Sequence, residues 1–92
     1  MRAKRVDANQ KKIVEQLRKI GASVTVTSMM GEGFPDVVVG FRGKNFLIEI
    51  KDESKSPSQR KLTPDEQRWH LRWRGQAAIC KNFDEILDII NK

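Results

Sequence analysis

The spacing of apolar and polar residues along the chain predicts alternating helices and strands. Over residues 7–20 the apolar positions recur with a helical period, and Gly21 ends that helix. Residues 23–29 are rich in β-branched side chains and alternate, which predicts a half-buried strand. Residues 37–41 form a continuous apolar run. A tight turn and a second strand over residues 45–51 follow, so this pair is predicted to be a hairpin.

Two stretches lack any apolar period and are predicted to be loops. Residues 31–35 contain two glycines and a proline, which are unsuited to both a helix and a strand ladder. Residues 52–62 are polar and rich in Ser and Lys, so they have almost nothing to bury. We expect the second stretch to be a mobile surface loop, and loops of this length in a small domain are often functional.

Capping signals define the helices of the second half. Thr63 and Glu66 have the spacing of a capping box around Pro64, and the helix that they open is predicted to stop at Gly75. Residues 77–80 form a short strand, and Asn82 opens an apolar last helix. The order α-β-β-β-α-β-α predicts one mixed α/β domain over residues 1–92, in which helices flank a central mixed sheet.

Composition and charge narrow the class of partner. The chain carries 18 Lys and Arg against 12 Asp and Glu, a formal charge of +6, which favours a polyanion such as nucleic acid. Its one cysteine, Cys80, excludes an internal disulfide and a Cys-based zinc site, and is predicted to fill the core. No apolar run approaches the ~20 residues that span a bilayer, and no apolar signal region follows the basic start. A cytoplasmic protein without membrane contact is expected.

The residues that suggest chemistry lie on the predicted hairpin. Asp36 begins one strand, while Glu49 and Lys51 share a face of the strand beside it. Two carboxylates and the backbone carbonyl of Ile50 form a plausible partial ligand set for Mg²⁺, which prefers oxygen and keeps several waters. Lys51 would orient or deprotonate an attacking water, with a pKa lowered by the metal, and would offset charge on a phosphoryl transition state. The alternative is ordinary strand patterning of exposed opposite charges.

Four segments together resemble a known family. Residues 33–36 (Gly-Phe-Pro-Asp), the apolar run 37–40, residues 46–51 ending in Glu-Ile-Lys, and residues 62–67 (Leu-Thr-Pro-Asp-Glu-Gln) are similar to the virus-type replication-repair nuclease (VRR-NUC) family of the PD-(D/E)XK superfamily. The resemblance covers nearly the whole chain and is closest to stand-alone, phage-type members. It therefore implies a bacterial or phage-infected host cell.

That resemblance implies an activity and a set of site residues. The family cleaves phosphodiester bonds of branched DNA with Mg²⁺ or Mn²⁺, and its stand-alone members are similar to Holliday junction resolvases that act as homodimers. Its Asp and Glu-x-Lys motif maps onto Asp36, Glu49 and Lys51, and its supporting helical glutamine onto Gln67. The family also has an acid on the first helix. Helical phase favours Asp7 over Glu15 for this further ligand, although Asp7 could equally be a helix N-cap.

Several further residues have more than one possible role. His70 could approach a phosphate, or it packs as a half-buried residue. Trp69 and Trp73 lie one turn apart and could stack on unpaired bases, pack in the core or, with the apolar last helix, form a dimer surface. The basic residues are candidates for phosphate contacts or solvated surface charges; they are Lys4, Arg5, Lys11, Lys12, Lys55, Arg60, Lys61, Arg68 and Arg72.

Three functions follow from these observations. The first is a structure-selective endonuclease that resolves four-way junctions as a homodimer, because two symmetrical nicks match a two-fold protein. The second is a flap or nicking endonuclease with the same site chemistry. The third is a basic DNA-binding module that keeps the fold without cleaving, and an intact Asp36, Glu49 and Lys51 argues against it.

Overall fold

The computed structural model describes residues 7–92 of the chain. Its elements are α1 (Ala8–Lys19), β1 (Ser23–Val26), β2 (Val37–Phe41), β3 (Lys44–Ile50), the short 3₁₀ helix η1 (Pro57–Arg60), α2 (Pro64–Arg72), β4 (Ala77–Cys80) and α3 (Phe83–Ile90). The predicted α-β-β-β-α-β-α order is confirmed, with η1 as an addition within the loop of residues 52–62. Lys4 and Arg5, two of the candidate phosphate contacts, lie outside the described residues.

The four strands form one mixed sheet in the order β1-β2-β3-β4. The first three strands are an antiparallel meander, and β4 pairs parallel to β3 after the chain crosses over through α2. Arg42 and Gly43 connect β2 to β3 with φ angles of 52° and 79°. Positive φ at both central residues is typical of a type I′ turn, whose twist suits a hairpin. The predicted hairpin and the predicted mixed sheet are both confirmed.

One face of the sheet carries the hydrophobic core. Ile48 on β3 and Val37 on β2 are register partners and are both fully buried. Leu17 of α1 and Ile86 of α3 cover them and are equally inaccessible. Cys80 is buried in the same cluster, as predicted.

The opposite face of the sheet is only partly covered. Leu47 is half-buried on this face, and Ile79 of β4, the register partner of Glu49, remains 45% exposed. Helix α2 contributes a single buried residue, Glu66. Glu49 lies on this face between Leu47 and Lys51. The charged side chains of β3 are therefore on the side of the sheet opposite the main core.

Two boundary predictions need correction. Strand β1 ends at Val26 rather than at residue 29, because the chain turns back at Met30, whose N–H donates to the carbonyl of Thr27. Helix α2 ends at Arg72, before Gly75. Ile86 and Ile90 of α3 are buried in the core of their own chain, whereas Phe83, Leu87 and Ile89 are only partly buried, so a dimer surface on this helix stays a prediction.

No helix within residues 7–92 combines the length and the apolar character needed to cross a bilayer.

Candidate active site

Asp36 is fixed at the start of β2, directly opposite Glu49. Val37 pairs with Ile48 in the antiparallel register, which places the preceding residue beside the following one. Asp36 is 4% exposed, and its carboxylate Oδ2 accepts a hydrogen bond of 2.8 Å from the N–H of Ile50. The carbonyl of Asp36 accepts the N–H of Thr27 at 2.7 Å. Backbone groups on both sides therefore hold Asp36 in place.

Glu49 is a buried carboxylate with too little compensation from the chain itself. It is 1% exposed, and its Oε1 has no hydrogen-bond partner. The Nζ of Lys51 lies 3.5 Å from the other oxygen, Oε2. Burial, with the nearby charges of Asp36 and Glu66, raises the pKa of Glu49 to about 9. Carboxylates placed directly opposite each other repel, so this pair requires a cation or a proton.

Glu66 is a member of this cluster that the sequence did not reveal. The Nζ of Lys51 donates to its Oε1 at 2.9 Å, and the same oxygen accepts the N–H of Thr63 at 2.8 Å. Although burial opposes it, the hydrogen bonds from Lys51 and Thr63 lower the pKa of Glu66 to about 2. The predicted capping box is present, and its glutamate also holds the lysine of the Glu-x-Lys motif.

Gln67, predicted from the family resemblance to support the site, is not brought to it. Its side chain is exposed, while the neighbouring Glu66 is 4% exposed and faces Lys51. Neighbouring residues on a helix point about 100° apart, so the orientation of α2 selects one of them. The supporting role of Gln67 remains a prediction without a contact behind it.

The loop before Asp36 packs closely against α2. This packing fixes the position of Glu66 relative to Lys51. Gly33 has a φ of 81°, and any side chain at this position would collide with the carbonyl group of Asp65. No side chain fits in that space. Loop and helix therefore meet backbone to backbone, which sets the height of the first turn of α2 beside the site.

Lys51 keeps its proton in this environment. Burial works to lower its pKa, but the hydrogen bond to Glu66 and the charge of Glu49 outweigh it, so the pKa of Lys51 is raised above its usual value. The predicted lowering of this pKa by a bound metal stays a prediction, and the carboxylates of the chain itself act in the opposite direction. A charged lysine suits the stabilisation of negative charge better than the removal of a proton.

The carboxylates open into a cavity of about 220 Å³ that α1 borders. Its lining residues come from four segments and are Asp7, Gln10, Asp36, Glu49, Ile50, Lys51, Asp52, Lys55 and Gln59. The amide of Gln10 donates to Ser28 at 2.8 Å, which ties α1 to the loop ahead of Asp36. The structure thus brings the predicted Asp7 to the site.

The choice between the two first-helix acids follows from this cavity. Asp7 occupies the N-cap position but makes no side-chain capping bond, so its carboxylate remains available to the cavity. Glu15 borders a different groove, beside Lys11 and Arg18. The preference for Asp7 over Glu15 therefore agrees with the geometry.

The donor set fits a hard divalent cation. The unpartnered Oε1 of Glu49 and the carboxylate of Asp36 supply two oxygens. The N–H and C=O of a strand residue point the same way, so the carbonyl of Ile50 faces the Asp36 side as well. Across residues 7–92, no three His, Cys, Asp or Glu side chains group as a complete cage. Mg²⁺, which is held by one or two carboxylates and several waters, matches such a set.

The other candidates divide between the cavity and the surrounding surface. Lys55 lines the carboxylate cavity, whereas Arg68 and Arg72 line a second cavity beside α2. Lys11, Lys12 and Lys61 are exposed. The guanidinium of Arg60 donates to the carbonyl of Lys55 at 3.0 Å.

His70 is half-buried and does not border the carboxylate cavity. Its ring lies against Trp69, with 4.9 Å between the ring centroids. Burial lowers the pKa of His70, so its ring is neutral at physiological pH. This placement favours the packing interpretation of His70 over a phosphate contact.

Comparison with known proteins supports the predicted fold. A solved structure described as a VRR_NUC domain is similar to this chain with a TM-score of 0.63 and 28% sequence identity, covering 89% of each chain. No protein-family model and no curated protein matches the chain. The mixed four-stranded sheet with flanking helices agrees with this similarity. The predicted relationship to VRR-NUC domains is confirmed by this structural similarity.

Proposed function

We propose that this nuclease domain is a metal-dependent DNA endonuclease. One observation carries the proposal: Asp36 and Glu49 are buried opposite each other, and Glu49 retains an oxygen without a hydrogen-bond partner beside the charged Lys51. Burying two carboxylates together is costly for a structural purpose alone, because each must be neutralised or paired. A cation recruited for catalysis provides that compensation.

Each residue of the cavity would have a separate role in the reaction. Asp36, Glu49 and the Ile50 carbonyl would hold Mg²⁺ or Mn²⁺, with Asp7 as a further acid at the mouth. When bound, such an ion withdraws charge from the phosphate and favours ionisation of water. In the hydrolysis, a water oxygen bonds to phosphorus, the bond from phosphorus to the leaving sugar oxygen breaks, and that oxygen takes up a proton. Lys51 donates to the phosphate oxygens as their charge grows.

The DNA would approach from the side of residues 52–62. Lys55 and Gln59 border the cavity from that side, and the chain has a formal charge of +6. Phosphate contacts of this kind position the backbone without reading sequence. The site therefore supports the family's nuclease chemistry on DNA and leaves selection among DNA shapes to the surrounding surface.

For the substrate we propose a four-way junction cut by a homodimer, in line with the family resemblance. A two-fold dimer presents two equal sites, and a junction offers two equivalent strands. A flap or nicking endonuclease is the second candidate, because the same cavity would serve it. A binding module without cleavage is the third, and the complete Asp36, Glu49 and Lys51 set speaks against it.

The test compares synthetic DNA substrates under defined metal conditions. We expect Mg²⁺ or Mn²⁺ to support paired, symmetrical nicks in a labelled four-way junction, Ca²⁺ to support binding with little cleavage, and Asp36→Asn to be inactive. Light scattering at micromolar concentration should give about twice the chain mass of 10.6 kDa. Undiminished cleavage in excess EDTA contradicts the metal dependence. A monomer that cuts only one strand of a flap promotes the second candidate.

A further inference from the structure

An aromatic cluster lies beside α2, at a cavity separate from the carboxylate cavity. Trp69 and Trp73 are stacked, with 4.6 Å between ring centroids and 17° between planes. Phe34 meets both of them edge-on, at 5.5 Å and 6.4 Å. Trp73 is 43% exposed and Met30 beside the cluster is 63% exposed. This much accessible aromatic and thioether surface is more typical of a binding site than of a finished core.

The cluster forms one wall of a cavity of about 420 Å³. Phe34, Trp69 and Met30 supply its apolar lining, and Arg68 and Arg72 supply guanidinium groups. The carboxylate of Asp65 also lines it and pairs with Arg68. Flat apolar walls combined with both hydrogen-bond donors and acceptors match a nucleobase, which has two π faces and a polar edge.

The cavity is close to the carboxylate site along two independent paths. Phe34 precedes Asp36 by two residues, a reach of at most roughly 7 Å of chain. Trp69 follows Glu66 by three residues on α2, a rise of roughly 4.5 Å. These spans correspond to one or two nucleotides of a DNA strand. A strand whose phosphate lies at Asp36 and Glu49 can therefore place a neighbouring base at the aromatic cluster.

We propose that the cavity between Phe34, Trp69 and Arg72 binds one unpaired nucleobase next to the cleaved phosphate. This proposal rests on the proposed nuclease function and adds a substrate feature to it: the strand must have a base that is free to leave its stack. Branch points and forks supply such bases at lower cost than an intact duplex. The arginines lie where they can contact the sugar-phosphate backbone on either side of the base.

A binding experiment without cleavage tests the proposal. In Ca²⁺, 2-aminopurine is placed in turn at each unpaired position of a forked DNA, and its fluorescence is measured with and without the protein. We expect one position to respond strongly, within one or two nucleotides of the phosphate at the carboxylate site. No responding position would overturn the proposal, and this arm requires no variant.

The variants distinguish stacking from general binding. Trp69→Ala should remove the fluorescence response and weaken binding of forked DNA by roughly 5- to 100-fold, with duplex affinity unchanged. Trp69→Phe should restore most of both. Leu71→Ala is the matched control, because Leu71 is 80% exposed on the same helix and does not line the cavity. Circular dichroism checks that each variant is folded.

The outcomes separate this proposal from its alternatives and from the proposed function. Equal weakening of forked and duplex DNA by Trp69→Ala overturns base stacking. If the wild type shows no fluorescence response and Trp69→Ala has a lower mass than the wild type by light scattering, the cluster binds a second copy of the chain instead. A protein that stacks the base yet never cleaves with Mg²⁺ contradicts the proposed function alone. A protein that cleaves without any stacking response contradicts this inference alone.

Discussion

The two sides of the carboxylate cavity are built in different ways. On one side, the bond from Ile50 to Asp36 joins residues 14 positions apart, and the bond from Lys51 to Glu66 joins residues 15 apart. On the other side, residues 52–62 rely mainly on bonds within a few positions, such as the N–H of Ser54 to the Asp52 carboxylate at 2.9 Å. The proposed catalytic residues therefore lie on elements fixed by the whole fold, and the proposed substrate side lies on a locally held loop.

This difference indicates which properties each side can supply. Transferring a phosphoryl group requires charges held within fractions of an ångström, which strands and a helix provide. Fitting DNA of several shapes requires a surface that can adjust, which an exposed loop provides. We expect substitutions on the first side to change turnover, and substitutions on the second side to change affinity.

The largest effect is expected at the paired carboxylates. Asp36→Asn retains an oxygen for the Ile50 N–H but loses the charge that binds a cation, so cleavage should fall by about 10³-fold or more. Single-turnover cleavage of a four-way junction measures the loss, and binding in Ca²⁺ serves as the control. Cleavage within tenfold of wild type would place the reaction elsewhere.

Lys51→Ala should lower the cleavage rate by about 10²- to 10³-fold while DNA affinity changes by less than about twofold. The reason is that Lys51 contacts charge that develops only during the reaction, whereas other cations provide ground-state binding. The ratio of turnover to affinity is the measurement. Equal losses of turnover and of DNA affinity would indicate that Lys51 binds the substrate rather than stabilising the transition state.

The carboxylate side should also be sensitive to pH in its stability. Glu49 has a folded-state pKa raised to about 9, so its contribution is present below the ordinary pKa near 4.5 and is lost as the pH rises toward 9. Without divalent ions, the free energy of unfolding should therefore fall by on the order of a few kcal/mol between pH 5 and pH 9. Urea unfolding across this range measures it.

The matched variant for that experiment is Glu49→Gln, which keeps the shape and removes the titration. Its unfolding free energy should vary much less with pH than that of the wild type. Added Mg²⁺ should stabilise the wild type most at high pH, because the ion binds the ionised carboxylates. Identical pH profiles for the two proteins would show that Glu49 is already ionised at neutral pH without a metal.

Glu66→Gln should lower turnover by about tenfold, because Lys51 loses its charged partner and its defined position. Losing this carboxylate also lowers the pKa of Lys51, since Glu66 contributes to raising it. The basic limb of the pH-rate profile should therefore move to lower pH. Gln67→Ala is the control, and a large effect there with none at Glu66 would favour the assignment taken from the family resemblance.

The smallest effect is expected on the loop side of the cavity. Lys55→Ala should weaken DNA binding by about threefold and reduce the slope of log affinity against log salt by about 1, with turnover of bound substrate unchanged. Titrations at several salt concentrations measure both quantities. A loss of turnover comparable to that of Lys51→Ala would remove the distinction between the two sides.

Local sequence patterns predicted most of the fold for an identifiable reason. Helical and strand periods depend on neighbouring residues, so the order of elements, the hairpin and both helix caps were correct. The end of β1 and the end of α2 were wrong, because each depends on how the chain turns after the element. The placement of Asp36 beside Glu49 followed from the hairpin register, which the turn at residues 42 and 43 fixes.

Only part of the candidate site was predicted. Its residues lie on different elements, and local sequence patterns do not show how those elements pack together. Glu66 had a complete local explanation as the N3 acid of a capping box, and that explanation concealed its contact with Lys51. Which of Glu66 and Gln67 faces the strand depends on the rotation of α2, which no local pattern encodes. The close approach at Gly33 was equally hidden, because it joins segments about 30 positions apart.

The two-residue turn at Arg42 and Gly43 has a consequence for how the chain folds. A hairpin with so short a connection closes its contacts early, at little entropic cost, whereas β4 and α2 must return over a longer loop. Asp36 and Glu49 are therefore expected to meet while Glu66 has yet to dock on Lys51. Divalent ions present during refolding should accelerate it by relieving that early repulsion, so the nascent hairpin would be the first metal-responsive species on the folding path.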